Sequence, residues 1–137
     1  MELIIKNAFV QVLQDTLGVV PLCVEAMLLE GYLASIDLLF EDGKRDTIAF
    51  VSSKEFLQVL GMGLFGESVA SELELRDLSQ ELANLTIGLA KVLAVKEGIR
   101  FQIATPQTFG FCAWEASHCS CVSFALDGAL CSVFLET

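Results

Sequence analysis

Residues 77–91 read Asp77-Leu-Ser-Gln-Glu81-Leu-Ala-Asn84-Leu-Thr-Ile-Gly88-Leu-Ala-Lys91. They lie within a helical pattern that runs from about Ser68 to Glu97 and that Gly98 should end. At roughly 100° per residue, the large apolar side chains of this helix fall within one arc. That arc is predicted to be the buried face: Leu75, Leu78, Leu82, Leu85, Leu89, Val92 and Leu93.

The opposite side of the same helix carries a stripe of polar and small residues: Asp77, Glu81, Asn84, Gly88 and Lys91. Asp77 and Glu81 are like charges one turn apart, which costs ~0.2–0.5 kcal/mol. Asn84 and Gly88 are weak helix formers, together roughly 1–1.5 kcal/mol worse than alanine. Because several unfavourable choices share one stripe, we interpret it as a docking surface where Gly88 lets a partner's backbone come close.

A purely structural interpretation of the stripe is also open. Acidic residues early in a helix favour the positive end of the helix dipole, and Glu72, Glu74 and Asp77 fit that role. Gly88 could simply accommodate a packed neighbour. Spacing alone therefore names no reaction.

The rest of the chain predicts one α+β domain over residues 1–137, an antiparallel sheet with the long helix and shorter helices on one face. A first helix should run from Glu2 to Leu17 and end at Gly18. A second should begin at an N-cap within residues 52–55, with a capping box of Ser52 and Glu55 as one option, and stop near Leu60, before three glycines. Strands are predicted over Cys23 to Leu29, Leu33 to Phe40, Asp46 to Val51, Ile99 to Thr105, Ser117 to Leu126 and Ala129 to Leu135.

Two Asp-Gly pairs indicate tight turns, and each lies between two predicted strands. The first belongs to the turn at residues 41–44, and the second is Asp127-Gly128. We therefore expect two β-hairpins, one before the second helix and one at the end of the sequence.

The composition narrows the partners and the compartment. A net charge of −10 repels phosphate backbones and acidic lipids, which argues against nucleic acid and membrane as partners. The mean hydropathy of +0.63 is high, yet no apolar stretch reaches the roughly 18 residues that a spanning helix needs. The N-terminal sequence lacks the features of a signal peptide. We expect a cytoplasmic protein that buries apolar surface against a second copy of itself.

The five cysteines offer one further candidate site. Without a signal peptide, an odd count favours reduced thiols. His118, Cys119 and Cys121 resemble the start of a metal site, but their spacing does not suit zinc. Strand alternation would place Cys119 and Cys121 on one face and His118 on the other. We interpret them as structural residues and predict no metal site; a redox or metal sensor is the alternative.

The long helix closely resembles the signature helix of the CheX/CheC/FliY phosphatases of chemotaxis. The family pattern is Asp or Ser, three residues, Glu, two residues, Asn, and a proline a little over twenty residues later. Pro106 stands in the corresponding place, with 21 residues between it and Asn84, one fewer than is usual. The first helix contains no Glu-x-x-Asn, so a single site is present, as in CheX proteins, which are homodimers.

The resemblance implies a phosphatase that acts on the aspartyl phosphate of a CheY-type receiver domain. Asn84 would orient the attacking water, and Glu81 would pair with the receiver's lysine. Asp77, Gly88 and Lys91 would form the docking surface. The receiver holds the Mg²⁺, so no cofactor of the chain's own is implied. The alternative is a non-catalytic receiver-docking or flagellar-switch-type module of the same fold.

Overall fold

The structure, a computed structural model, describes residues 1–116 and 118–137. These residues form helices and an antiparallel sheet, which confirms the predicted α+β class. The elements in chain order are α1 (Glu2–Leu17), β1 (Leu22–Val24), β2 (Glu30–Phe40), β3 (Arg45–Ser52), α2 (Lys54–Phe65), α3 (Glu72–Lys96), β4 (Phe101–Ile103), β5 (Gln107–Ala113), β6 (Cys119–Leu126) and β7 (Ala129–Glu136). None of the helices in these ranges is long and apolar enough to cross a bilayer.

The sheet is organised around the two predicted hairpins, β2–β3 and β6–β7, both of which are confirmed. Its strand order is β1-β6-β7-β3-β2-β4, and β5 pairs with β2 as well. In the β6–β7 turn, Asp127 and Gly128 adopt φ of 50° and 82°, the left-handed conformation that a tight hairpin needs. The long strand β2 thus carries β5 along its first half and β4 along its second.

The main core lies between the helices and one face of the sheet. Phe9 of α1 is at its centre, with ring centroids 4.4 Å from Phe124, 6.2 Å from Phe56 and 6.4 Å from Phe50. All four rings are fully buried, and each contributes roughly 1.5–3 kcal/mol through burial. This apolar layer fixes the three helices on the same face of the sheet, as predicted.

The other face of the sheet carries a smaller apolar cluster. Leu33, Ala49, Val51 and Phe134 are buried there, and the Trp114 ring lies 6.1 Å from that of Phe134. Because neighbouring strand residues point to opposite faces, Tyr32 and Ala34 of β2 join the main core while Leu33 joins this cluster.

The start of α2 differs from the prediction. Ser53, not Ser52, is the N-cap, and its Oγ accepts a hydrogen bond of 3.1 Å from the Phe56 N–H. Ser52 is the last residue of β3 and fully buried, with its Oγ 3.4 Å from the Cys131 Sγ. The capping box of Ser52 with Glu55 is therefore wrong, because pairing with β7 holds Ser52 in the sheet.

The end of α2 also differs, since the helix continues through Gly61 and Gly63 to Phe65. Gly66, with φ of 71°, ends it and donates its N–H to the Met62 carbonyl. A Cβ at Gly61 would lie 2.7 Å from Val69 Cγ2. Gly61 is thus required for close packing and does not break the helix, a distinction that depends on tertiary contacts.

The C-terminal part of the sheet contains β5, which hydrophobic patterning alone did not predict as a strand. β4 is shorter than the predicted Ile99 to Thr105, and Pro106 separates it from β5. The predicted strand from Ser117 begins at a residue outside the described ranges. His118 has φ of 59° and precedes β6, so its assignment to a strand face opposite Cys119 and Cys121 is wrong.

Candidate functional site

The long helix α3 begins and ends at defined caps. Ser71 Oγ accepts a hydrogen bond of 3.2 Å from the Glu74 N–H and donates one of 2.8 Å to the Glu74 carboxylate. At the other end, Gly98 with φ of 77° donates its N–H to the Val95 carbonyl. The predicted stop at Gly98 is confirmed, while the start lies at Glu72 because Ser71 caps the helix.

The buried face of α3 is broader than predicted. The helix packs against α1, α2, β2, β3 and β5, so Ala83, Ile87, Ala90 and Ala94 are buried together with the predicted Leu75, Leu78 and Leu82. Leu85, Leu89 and Leu93 are half-buried. Val92 is 55% exposed, so its assignment to the buried face is wrong. The packed elements cover other sides of α3 and leave Val92 exposed, an arrangement that the sequence does not reveal.

The polar stripe faces away from this core. Asp77, Glu81, Asn84 and Gly88 are exposed, and Lys91 is half-buried. Val92 and Val95, 55% and 47% exposed, continue the exposed side toward the C-terminus. The helix therefore presents these residues together on a surface that its own chain does not cover.

Glu81 and Asn84 lie about 4.5 Å apart along the helix axis, at 1.5 Å per residue. Within the described ranges, neither side chain forms a hydrogen bond or an ion pair. Both groups are thus available to a partner. Their backbone is rigidly held, because Leu82 and Ala83 beside them are fully buried.

Gly88 has open space in front of it. A Cβ built at this position meets no atom within 4 Å beyond the local helix backbone. The alternative that Gly88 makes room for a packed neighbour of the same chain is therefore wrong. The glycine removes about 1 kcal/mol of helix stability without any packing benefit in the protein itself.

The helix dipole accounts for only part of the acidic sequence. Glu72 and Glu74 lie in the first turn, where negative charge is stabilising. Asp77 lies in the second turn, beyond the region where the dipole acts strongly. Together with Glu67, Glu74 and Glu81 it lines a cleft of about 450 Å³. Phe65, which is 60% exposed, lines the same cleft.

Contacts from the sheet hold the N-terminal half of α3 in place. The Tyr32 hydroxyl donates a 2.6 Å hydrogen bond to the Glu72 carboxylate. Burial and the adjacent Glu72 raise the pKa of Tyr32 to about 12. Arg76 Nη2 lies 3.5 Å from the Thr108 carbonyl of β5. These positioning residues were missed by the sequence analysis, because Tyr32 and β5 meet α3 only through the sheet.

The cysteine thiols at the start of β6 have raised pKa values. Burial raises the pKa of Cys119, helped by the nearby Glu136 carboxylate, and burial also raises that of Cys121. A raised pKa disfavours the thiolate that nucleophilic and metal-binding cysteines use. Across residues 1–116 and 118–137, no three His, Cys, Asp or Glu side chains are placed to hold a metal ion.

Several solved structures share this architecture. The chemotaxis protein CheX from Vibrio vulnificus superposes with a TM-score of 0.84 at 14% identity, over 96% of this chain and 92% of that one. CheX from Desulfovibrio desulfuricans gives 0.76 at 18% identity, over 96% and 95%. The chain has the CheX fold.

A third structure is the CheX–CheY–BeF₃–Mg²⁺ complex from Borrelia burgdorferi, with a TM-score of 0.72 at 18% identity, over 97% of this chain and 94% of that one. No family model matches the sequence, and no curated protein matches it. The CheX fold that the resemblance of residues 77–91 implied is confirmed along nearly the whole chain. In this fold, the stripe occupies the exposed side of α3.

Proposed function

We propose that this protein is a phosphatase that accelerates hydrolysis of the aspartyl phosphate on a CheY-type receiver domain. The observation that carries the proposal is the exposed, unpartnered pair of Glu81 and Asn84 on the rigid helix α3. It is supported by the CheX fold and by the similarity to a CheX that was solved together with CheY.

The chemistry needs little from this chain. A water molecule attacks the phosphorus, the bond between phosphorus and the aspartyl oxygen breaks, and the receiver regains its carboxylate as inorganic phosphate leaves with the water's protons. The carboxamide of Asn84 can accept a hydrogen bond from that water and donate one to a phosphoryl oxygen. It carries no charge, so it does not repel the anionic substrate.

Glu81 serves as the anchor in this proposal. With Glu74 and Asp77 its carboxylate lines the cleft of about 450 Å³, which we call the acidic cleft. This setting favours an ammonium group from the partner. A lysine of the receiver held there fixes the depth to which Asn84 enters, and misplacement by about 1 Å can cost roughly 100-fold in rate. Asp77, Gly88 and Lys91 complete the docking surface.

The Mg²⁺ required for phosphoryl transfer belongs to the receiver in this proposal, and the chain supplies no cofactor of its own. The metal neutralises phosphoryl charge. The carboxylates and the carboxamide of the stripe serve in this proposal to position the partner and the water, not to bind a metal ion. As the proposed partner is a cytoplasmic signalling protein, we place the chain in the cytoplasm.

The experiment is the lifetime of phosphorylated receivers, taken from the same genome, with and without this protein. The native chain is expected to shorten the lifetime, and Asn84→Ala to abolish the effect while still binding the receiver. Asn7→Ala is the matched control, since it removes a carboxamide from an exposed position of α1. Equal lifetimes with the native chain and with Asn84→Ala would contradict catalysis by the carboxamide.

The second candidate function is a receiver-docking or flagellar-switch-type module of the same fold. The exposed Val92 and Val95 favour a binding surface whether or not chemistry occurs there. Receivers that bind the native chain but decay at their own rate would establish this alternative.

We also propose that the chain forms a homodimer through the edge of β5. In the described part of the chain β5 pairs with β2 alone, and its sequence QTFGFCA contains no charged residue. Phe109 and Phe111 are 51% and 56% exposed. An uncharged strand edge with two exposed aromatic rings is prone to pairing. Pairing of two β5 edges would bury Phe109 and Phe111 of both copies, and the molar mass in solution tests this.

A further inference from the structure

A second cleft lies at the C-terminal end of the stripe, about 380 Å³ in volume. We call it the basic cleft. Lys91 and Arg100 supply its positive charge, and Phe40 and Val95 are among the apolar residues that line it. A third cation, Lys44, lies with its Nζ 5.9 Å from the centre of the Phe40 ring. The cleft thus combines apolar walls with cations.

This concentration of positive charge is unusual for the protein. The chain has only 8 basic residues against 18 acidic ones, and two of the basic residues line this cleft, while Lys44 beside Phe40 is paired with Asp46 at 3.9 Å. Glu41 also lines it, yet within the described ranges neither Lys91 nor Arg100 forms an ion pair. Most basic residues of the described ranges form no ion pair, so what distinguishes Lys91 and Arg100 is that both line one partly apolar cleft, where a single external anion can contact them together.

The basic cleft is continuous with the stripe. Lys91 follows Asn84 by seven residues, about 10 Å along the axis of α3 at 1.5 Å per residue. The exposed Val92 and Val95 lie beside it. A folded domain that presents a phosphoryl group to Asn84 is wider than this distance, so it is large enough to contact the cleft as well.

We infer that the basic cleft binds an acidic, partly apolar segment of the same receiver-type partner whose phosphoryl group Asn84 approaches. The inference rests on the proposed function and adds a second contact to it. With carboxylates near Asp77 and Glu81 and cations near Lys91 and Arg100, the two ends of the docking surface carry opposite charge. This polarity fixes the orientation of the partner and selects receivers with the complementary pattern.

The test uses the double variant Lys91→Glu/Arg100→Glu. Its matched control is Lys6→Glu/Lys54→Glu, which reverses the same number of charges at one half-buried and one exposed position outside the stripe. The probe is a CheY-type receiver from the same genome, held in its active form with Mg²⁺ and beryllofluoride, a tetrahedral mimic of a phosphoryl group. Affinity is measured by titration calorimetry at low and high salt, and kcat by decay of the phosphorylated receiver at saturation.

We expect the cleft variant to raise Kd roughly tenfold at low salt, with a smaller change at high salt because salt screens exposed charges. The control should raise Kd by no more than about twofold to threefold. The kcat at saturation, measured separately, shows how far loss of the cleft contact also misplaces the phosphoryl group relative to Asn84. The milder variant Lys91→Gln/Arg100→Gln should lose an intermediate amount of affinity. It provides the test if the charge reversal disturbs folding.

Equal losses in the cleft variant and the control would overturn the inference. So would a cleft variant that binds the receiver like the native chain but changes its own molar mass, because a second copy would then be the occupant. A native chain that binds no receiver would overturn the proposed function along with this inference. If the native chain binds and dephosphorylates the receiver, and the cleft variant does both equally well, the inference is wrong while the proposed function stands.

Discussion

Gly88→Ala separates stability from docking in one substitution. Gly88 is exposed in α3 with no positive φ, and an added Cβ meets no atom within 4 Å. The alanine should therefore gain the difference in helix propensity in full, about 0.5–1 kcal/mol. For 137 residues, an unfolding entropy of about 2.1 cal/mol/K per residue converts this gain into about 2–4 °C in Tm.

The same methyl group should harm the proposed activity. It would stand one turn beyond Asn84, on the surface where a partner's backbone is proposed to approach. Holding the receiver even about 1 Å further from α3 would lower kcat/KM for its dephosphorylation by roughly tenfold to 100-fold. A variant that folds more stably and works less well is the expected result.

The assays are thermal and urea unfolding followed by circular dichroism, together with decay of the phosphorylated receiver. Gly31→Ala is the opposite control for stability, because its Cβ would lie 2.6 Å from the Ser52 carbonyl oxygen. A backbone atom cannot give way easily, so we expect a loss of about 1–3 kcal/mol.

Two outcomes would refute the reasoning on Gly88. A lower Tm for Gly88→Ala would show that the glycine serves the fold after all. A higher Tm with unchanged receiver affinity and dephosphorylation would show that no partner approaches closely at this position.

Two further predictions concern the edge of the sheet. Phe111→Lys places a charge at a half-exposed position of β5, next to the Tyr32 ring, and should halve the molar mass measured by light scattering; an unchanged mass would exclude this edge as the dimer interface. Tyr32→Phe should alter the pH dependence of stability. The pKa of Tyr32 is about 12 in the folded chain against 10.0 as its ordinary value, so its stabilisation is complete below pH 10 and decreases as pH rises toward 12, by about 2 kcal/mol. Urea unfolding across this range should show the native protein losing more stability than the variant, and parallel curves would contradict the role of Tyr32.

The features predicted correctly from sequence depend on local signals. The bounds of α1 follow from its periodicity and from Gly18, which adopts φ of 71°. Both hairpins follow from their Asp-Gly turns. The exposed positions of Asp77, Glu81, Asn84 and Gly88 follow from helical spacing. Each of these features is specified by residues close together in the chain.

The wrong predictions concern features that depend on contacts between segments far apart in the sequence. α2 continues through Gly61 because Val69 packs against that glycine. Val92 is exposed because several elements cover the other sides of α3. β5, which patterning alone did not predict, exists through pairing with β2, and a register shift beside Leu33 marks that pairing as irregular.

The sequence by itself determined the long helix, the line of Glu81 and Asn84 along it, and the α+β class. Only the tertiary structure decided what surrounds that line: the acidic cleft with Phe65, the basic cleft with Arg100, and the contacts of Tyr32 and Arg76 with their neighbours. Helical periodicity places residues relative to their own axis. A cleft, in contrast, is formed by side chains from segments far apart in sequence, and their proximity is set by packing of the whole core.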